Sequence, residues 1–589
     1  MSRADDPSLK PEAISISKGD SEPLPRQSLD PQRIAPNRDA RMFLVLSIFI
    51  GVISGLLVVS FRVAIDWIAS ITLGSAPHAG ELRLLIMPSA AGLLVAALVI
   101  WFFPAARGSG VNQTKAALYV YNGYISFKTV IGKFITSAIA IGAGHSLGPE
   151  DPSLQIGAGV ASIIARHLRM SRQRLRMFAP IGAAAGLAAA FNAPISAILF
   201  VIEEVIGSWS AAVLGSIVLA AISSVMVVRI FMGSAPMFNV PPVELRDPRE
   251  LMAYAALGIL GGFLAVVFAR LLGYLRPRMR DLPRWTLYAQ PAVAGLLVGL
   301  IGYLGFPQVM GPGYAVINQA MHAEFTWKVL IALALLKMLA TTMSFVSGTP
   351  GGTFAPALFI GAMLGGGVGA FEHHFFPYMA GSVGSYALVG MGVFFAGFLR
   401  VPLTSVFMVL ELSGNSSIIL PVILANTIAY LISRSLQPVP IFELFTHQDG
   451  LELPSMEELR EESHLHIEDA LRPSHVPVLE GSQSLSSAAE KLALSVDKTI
   501  LVQMTDLSWY ALSQKELNSL IAVHKPDTRL EQALGEERIA ELYPDLPLDS
   551  ALPYFARWPI LPIQNRASRG TLEGVLTQQD VLERYQKSY

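Results

Sequence analysis

A glutamate set among glycines and prolines, with apolar runs on both sides, is the sharpest chemical feature of this 589-residue chain. Glu150 lies in the stretch Gly142–Gly159, together with Asp151, two prolines and five glycines. Inside a bilayer such residues are tolerated only where the chain lines a cavity or is buried in protein. A carboxylate beside an anion path competes with the anion when ionised and withdraws when protonated. Glu150 is therefore a candidate gate and proton carrier. The plainer reading is an acid that stabilises a helix N-terminus. Glu203 and Glu204 form a second acidic pair after Phe191-Asn192-Ala193-Pro194. Neighbours on a helix point about 100° apart, so one can face protein and the other a cavity. The alternative for Glu204 is an interfacial carboxylate facing water. Ser109, between Gly108 and Gly110, can offer its hydroxyl to an anion at close approach, although Gly-Ser-Gly is also common in turns.

Gly144-His145-Ser146-Leu147-Gly148 matches the Gly-x-Ser-x-Gly pattern of serine hydrolases. That pattern needs a preceding strand and a base nearby. The run Phe134–Ala143 reads as a membrane helix instead, so an intramembrane protease is a poor reading. His145 is expected to be structural or pore-lining.

The elements that position these residues are membrane helices. The chain is 52% hydrophobic and 15% charged, against about 25% charged in an ordinary soluble protein. Charge-free runs at Met42–Phe61, Leu84–Phe103, Gly207–Val228, Leu251–Ala269 and Phe375–Leu399 are each long enough to span a core of roughly 30 Å as a helix. A net charge of −1 gives no case for nucleic acid, and the absence of cysteine excludes disulfides and thiolate metal sites. Residues 1–40 are polar and read as a disordered tail with no cleaved leader. Arg38 and Arg41 weakly place the N-terminus in the cytoplasm.

Residues 42–436 contain an internal repeat. Phe103-Pro104 and Gly108-Ser109-Gly110 return as Phe306-Pro307 and Gly311-Pro312-Gly313. Lys133, Gly144, Gly148, Pro152 and Gly157 return as Lys337, Gly348, Gly352, Pro356 and Gly361, all 204 residues later. Gly182, Pro194 and Glu203 return as Gly390, Pro402 and Glu411, all 208 later. The halves are about 42–233 and 249–436, and the sequence leaves open whether they run parallel or inverted. Glu203 has a repeat partner, which marks it as structural. Glu204 aligns with Leu412, which marks it as specialised. Helices are expected to start after Gly110, Asp151, Asn192, Thr353 and Val401. Such N-termini converging at mid-membrane make an anion site without a buried cation. The backbone N–H groups of Thr353 and Phe354 join the candidates through the repeat. From about residue 446 charged residues become frequent, and Thr499–Gln503 and Trp558–Ile563 read as strands. Helix-like stretches accompany them at Ser513–Ala522 and Thr577–Gln586, giving a small α/β region over 446–589.

Over about 42–445 these residues resemble the CLC family of chloride channels and chloride/proton antiporters. Gly108-Ser109-Gly110-Val111-Asn112 is similar to that family's GSGIP motif. Gly148-Pro149-Glu150-Asp151-Pro152 is similar to its G-[K/R]-E-G-P, and Gly352-Thr353-Phe354-Ala355-Pro356 to its G-x-F-x-P. The resemblance implies an all-α polytopic membrane protein with an inverted-repeat fold of about 18 helical segments. It also implies a homodimer, an inner-membrane location and cytoplasmic termini. Residue by residue, it implies that Ser109 and the amides of Thr353 and Phe354 bind the central anion. Glu150 is then the gating glutamate and Glu204 the internal proton glutamate. Residues 446–589 resemble a divergent pair of CBS modules, about 468–525 and 535–587. Thr577 and Asp580 match a nucleotide-contact motif, so adenine nucleotide is the one cofactor to consider; no metal is implied.

Four positions depart from the family pattern. Pro149 replaces a basic residue, and Asn112 replaces a proline. Asp151 replaces a glycine and sets a like charge beside Glu150. Phe442 replaces a tyrosine whose hydroxyl touches the central anion; it can close an inner gate but donates no hydrogen bond. The function expected is chloride/proton antiport. The alternatives are a passive chloride channel, favoured by Phe442, and a fluoride/proton exchanger, disfavoured by Ser109. A membrane-anchored nucleotide sensor is disfavoured by the paired glycine-rich breaks.

Overall fold

The computed structural model describes residues 38–588, apart from 75–76, 208–210, 241–249, 284, 376–380, 452, 454, 457–464, 473–475, 496–497, 536, 567 and 569. Of the tail expected over 1–40, residues 1–37 lie outside the described residues, and 38–40 already belong to the first helix.

Among the described residues, seventeen α-helices lie between Arg38 and Gln448. The first half comprises α1 (Arg38–Thr72), α2 (Leu82–Trp101), α3 (Gly110–Tyr119), α4 (Phe127–Gly142), α5 (Glu150–His167), α6 (Arg172–Phe191), α7 (Pro194–Phe200) and α8 (Ala211–Met232). A π-helical segment, Val201–Ile206, continues α7. The second half comprises α9 (Glu250–Arg280), α10 (Thr286–Tyr303), α11 (Tyr314–Met321), α12 (Trp327–Val346), α13 (Phe354–Phe375), α14 (Val383–Leu399), α15 (Pro402–Ser413) and α16 (Ile419–Leu436). A last helix, α17 (Ile441–Gln448), follows. Eight of the described helices are long and apolar enough to cross a membrane, which makes this a multi-pass membrane protein. The expected helix starts fall within two residues of those observed. Pro194 and Pro402 occupy the first turns of α7 and α15, where a missing N–H costs nothing. One expectation fails. Phe375–Leu399 is not a single span, because α13 ends at Phe375 and the 17-residue α14 begins only at Val383. The run carries no charge, but Pro377 and Gly381-Ser382 are the break signals within it.

Glycine contacts settle the direction of the repeat. Where α2 crosses α10, a Cβ on Gly92 would strike the carbonyl of Pro291. One on Gly295 would strike that of Pro88, and one on Gly299 that of Leu84. As α2 advances through 84, 88 and 92, its partner runs back through 299, 295 and 291. Two repeat-equivalent helices are thus packed antiparallel, and the halves are inverted. Equivalent breaks meet across the same local two-fold: Gly148 N–H donates to Gly352 O and Gly352 N–H to Gly148 O, both at 2.8 Å. Lys133 Nζ donates to the carbonyls of Ala106 and Gly108, as Lys337 Nζ does to those of Val309 and Gly311. These buried ammoniums satisfy turn carbonyls that water cannot reach. Asn192 and Arg400, the equivalent C-caps of α6 and α14, both take the left-handed conformation.

The C-terminal region builds two similar units around one apolar core. In the first, β1 (Val478–Glu480) pairs parallel with β2 (Thr499–Gln503), and β2 pairs antiparallel with β3 (Trp509–Ser513). The helices Leu485–Leu494 and Gln514–Val523 belong to it. In the second, β4 (Ile560–Gln564) pairs antiparallel with β5 (Leu572–Thr577), and Leu542 bridges Ile563 in parallel. A 3₁₀ turn, Leu548–Ala556, and the helix Gln578–Ser588 complete it.

Candidate functional site

Three helix N-termini and one π segment bring the candidate residues together. Glu150 opens α5 directly after Pro149, and its side chain is fully buried. One carboxylate oxygen accepts from the Tyr314 hydroxyl at the start of α11, and the other from the Ala355 N–H of α13 at 3.4 Å. The carboxylate therefore sits at the positive end of α13. The amides of Thr353 and Phe354, just before it, have no hydrogen-bond partner among the described residues. Phe354 is buried against Phe191, Phe200 and Phe395, with ring centroids 5.0–6.4 Å away.

Asp151, next in the chain, is bonded to α3. Its side chain turns away from Glu150 toward α3: Oδ2 accepts from Ser109 Oγ at 3.0 Å and Oδ1 from Val111 N–H at 2.7 Å. A hydroxyl carries one proton, so Ser109 is engaged with Asp151 here. Gly108 and Gly110 frame the same turn. Asn112 donates from Nδ2 to the Phe442 carbonyl at 3.2 Å, joining α3 to α17. Phe442 is buried and packs edge-on to Phe354 and Phe200, at 6.1 and 6.5 Å. Its ring thus stands beside the first residue of α13. On the side of the C-terminal region a cavity of about 670 Å³ reaches Gly108 and Ser109, and Arg107, Arg276, Arg280 and Asp449 also line it.

The two acids of the pair point to different partners, and among the described residues neither lines a cavity. Glu203 caps α15, accepting from the N–H groups of Leu403 and Thr404 at 3.2 and 2.8 Å and from Thr404 Oγ1 at 2.6 Å. Its equivalent Glu411 caps α7 in the same way, through Ile195 N, Ser196 N and Ser196 Oγ. Glu204 lies in the π segment, 2% exposed, with Lys115 Nζ 2.8 Å from its Oε1. It is not a water-facing carboxylate at a helix end. α15 has no π turn, so the widened segment belongs to the first half alone. π turns of this kind are frequent at functional sites. Lys115 escaped sequence reading, because a lysine on a short polar helix looks solvated.

The hydrolase pattern has no catalytic geometry. Ser146 Oγ pairs with Thr341 Oγ1 at 3.0 Å, and His145 Nε2 lies 3.1 Å from the Pro88 carbonyl. In the C-terminal region Thr577 and Asp580 form a capping box on the last helix, and Arg472 pairs with Asp580 at 2.5 Å. Ser513 and Glu516 form the equivalent box in the first unit.

Helix breaks facing each other across an inverted repeat, with a buried acid at the positive end of a helix, define an ion-conducting membrane protein. The chain belongs to the voltage gated chloride channel family, whose model matches residues 91–434. It is 32% identical over 445 residues to the H(+)/Cl(-) exchange transporter ClcA of Yersinia pestis bv. Antiqua (strain Angola), covering 71% of this chain and 92% of that one. It is 31% identical over 415 residues to the transporter of the same name from Salmonella arizonae, covering 68% and 87%. In fold it is similar to a slow cyanobacterial Cl−/H+ antiporter, with TM-score 0.63 and 24% identity over 69% of this chain and 97% of that chain. It is likewise similar to a eukaryotic CLC transporter, with TM-score 0.59 and 20% identity over 91% and 97%.

Proposed function

We propose that this chain exchanges chloride for protons across a membrane. The observation that carries the reading is the Glu150 carboxylate at the N-terminus of α13, beside the unpartnered amides of Thr353 and Phe354. An anion attracted to those amides competes with the carboxylate, and protonation removes the competitor. Glu204, buried next to Lys115, is the inner proton acceptor. Protons pass between Glu204 and Glu150, while the anion and Glu150 alternate in one pathway. Phe442 closes the inner end sterically. The relatives named H(+)/Cl(-) exchange transporters support this assignment. The protein works as a transporter rather than an enzyme, as an inner-membrane homodimer with both termini cytoplasmic. Adenine nucleotide is the candidate ligand of the C-terminal units, through Thr577 and Asp580; it is tested by melting the full-length protein with and without ATP.

The deciding experiment is proton uptake into chloride-loaded proteoliposomes under an outward chloride gradient, with voltage clamped by valinomycin. Uphill proton movement is expected. Chloride efflux without proton movement would make the protein a passive channel and strip Glu204 of its role.

A further inference from the structure

Asp151 holds donors that an anion would otherwise use. Its buried carboxylate accepts from Ser109 Oγ at 3.0 Å and from Val111 N–H, in the first turn of α3, at 2.7 Å. The space around it is tight: a Cβ on Gly110 or on Gly352 would collide with Asp151. The nearby cation, Lys133 Nζ, is bound to the Ala106 and Gly108 carbonyls and lies on the same side as Ser109. The neighbouring acid, Glu150, faces the other way, toward Tyr314 and Ala355. The second repeat has Ala355 at the position of Asp151, so the inverted scaffold does not require an acid here. Two carboxylates thus stand in series, the first contacting Ser109 at the cavity and the second contacting Tyr314.

We propose that Asp151 is a resident anion of the pathway and determines how tightly chloride binds. Its carboxylate occupies the Ser109 hydroxyl and the α3 amide, and leaves a transported anion only the amides of Thr353 and Phe354 until it is displaced. The inference rests on the transport reading given above. Because Phe442 also lacks a hydroxyl, the central position has no free side-chain donor from either residue.

The test is chloride titration calorimetry on the detergent-purified full-length protein and its variants Asp151→Gly, Asp151→Asn, Ser109→Ala and the double variant Asp151→Gly/Ser109→Ala. Hydrogen bonds to charged groups are worth enough that Asp151→Gly is expected to tighten chloride binding by about tenfold or more. Ser109→Ala is expected to change the affinity of the native protein by less than about twofold, yet to cost about tenfold in the Asp151→Gly background. Asp151→Asn keeps an acceptor for Val111 and removes the charge. It serves if the glycine variant does not elute as a single species, and it too is expected to tighten binding. Equal effects of Ser109→Ala in both backgrounds, or unchanged affinity in folded Asp151 variants, would overturn the inference. Absence of chloride binding in every folded variant would instead overturn the transport reading on which it stands.

Discussion

Lys115 on α3 and Glu204 in the π segment form a buried ion pair, Nζ to Oε1 at 2.8 Å, with side chains 0% and 3% exposed. Removing one partner of such a pair leaves an uncompensated charge and costs about 3–5 kcal/mol. Lys115→Met and Glu204→Gln are each expected to lower the melting temperature strongly, and the double variant to recover much of the loss. Melting curves of the three variants in one detergent decide it. Simple addition of the two losses would show that the pair is not coupled.

Glu150→Gln is expected to abolish proton movement while anion movement continues, measured in the same proteoliposomes. Retained proton coupling would end the gate assignment. Tyr314→Phe removes one hydrogen bond from the gate and keeps the ring that packs 6.3 Å from Phe238. Loss of a bond to the ionised carboxylate, worth about 1.5 kcal/mol or more, is expected to raise chloride turnover by about tenfold or more.

Phe442→Tyr adds a hydroxyl next to the α13 N-terminus, where the amides of Thr353 and Phe354 are open. Chloride binding is expected to tighten by about tenfold or more, the range of a hydrogen bond to a charged group. Unchanged calorimetry would mean that this ring does not face the anion.

Glu203→Gln and Glu411→Gln each weaken one crosswise helix cap. Both are expected to destabilise by about 1–3 kcal/mol and to leave proton coupling intact. If Glu203→Gln abolished coupling with little change in melting, Glu203 rather than Glu204 would be the proton acceptor.

Much of this architecture is legible because inversion leaves marks at special residues. Gly148, Gly352, Lys133, Lys337, Glu203 and Glu411 recur at fixed spacing, since each fills a place where only its type fits. The direction of the repeat was not legible, because it resides in which glycine of α2 faces which carbonyl of α10. The partner of Asp151 was not legible either. Adjacency to Glu150 suggested repulsion, whereas the side chain's direction depends on where α3 docks. Lys115 gave no signal because its partner lies 89 residues away and the widening of the helix at 201–206 has no composition of its own. The C-terminal capping boxes were not legible as caps: Thr577 and Asp580 stood out only as a nucleotide-contact motif, and Ser513 and Glu516 not at all.

The exchanged caps of Glu203 and Glu411 carry a consequence for assembly. α7 has its first-turn amides satisfied by the second half, and α15 has its own satisfied by the first. The reciprocal bonds of Gly148 and Gly352 tie the breaks in the same fashion. Neither half is a self-sufficient folding unit, since in hydrocarbon each would expose helix ends that only the other can close. The chain is in effect an antiparallel dimer fused end to end.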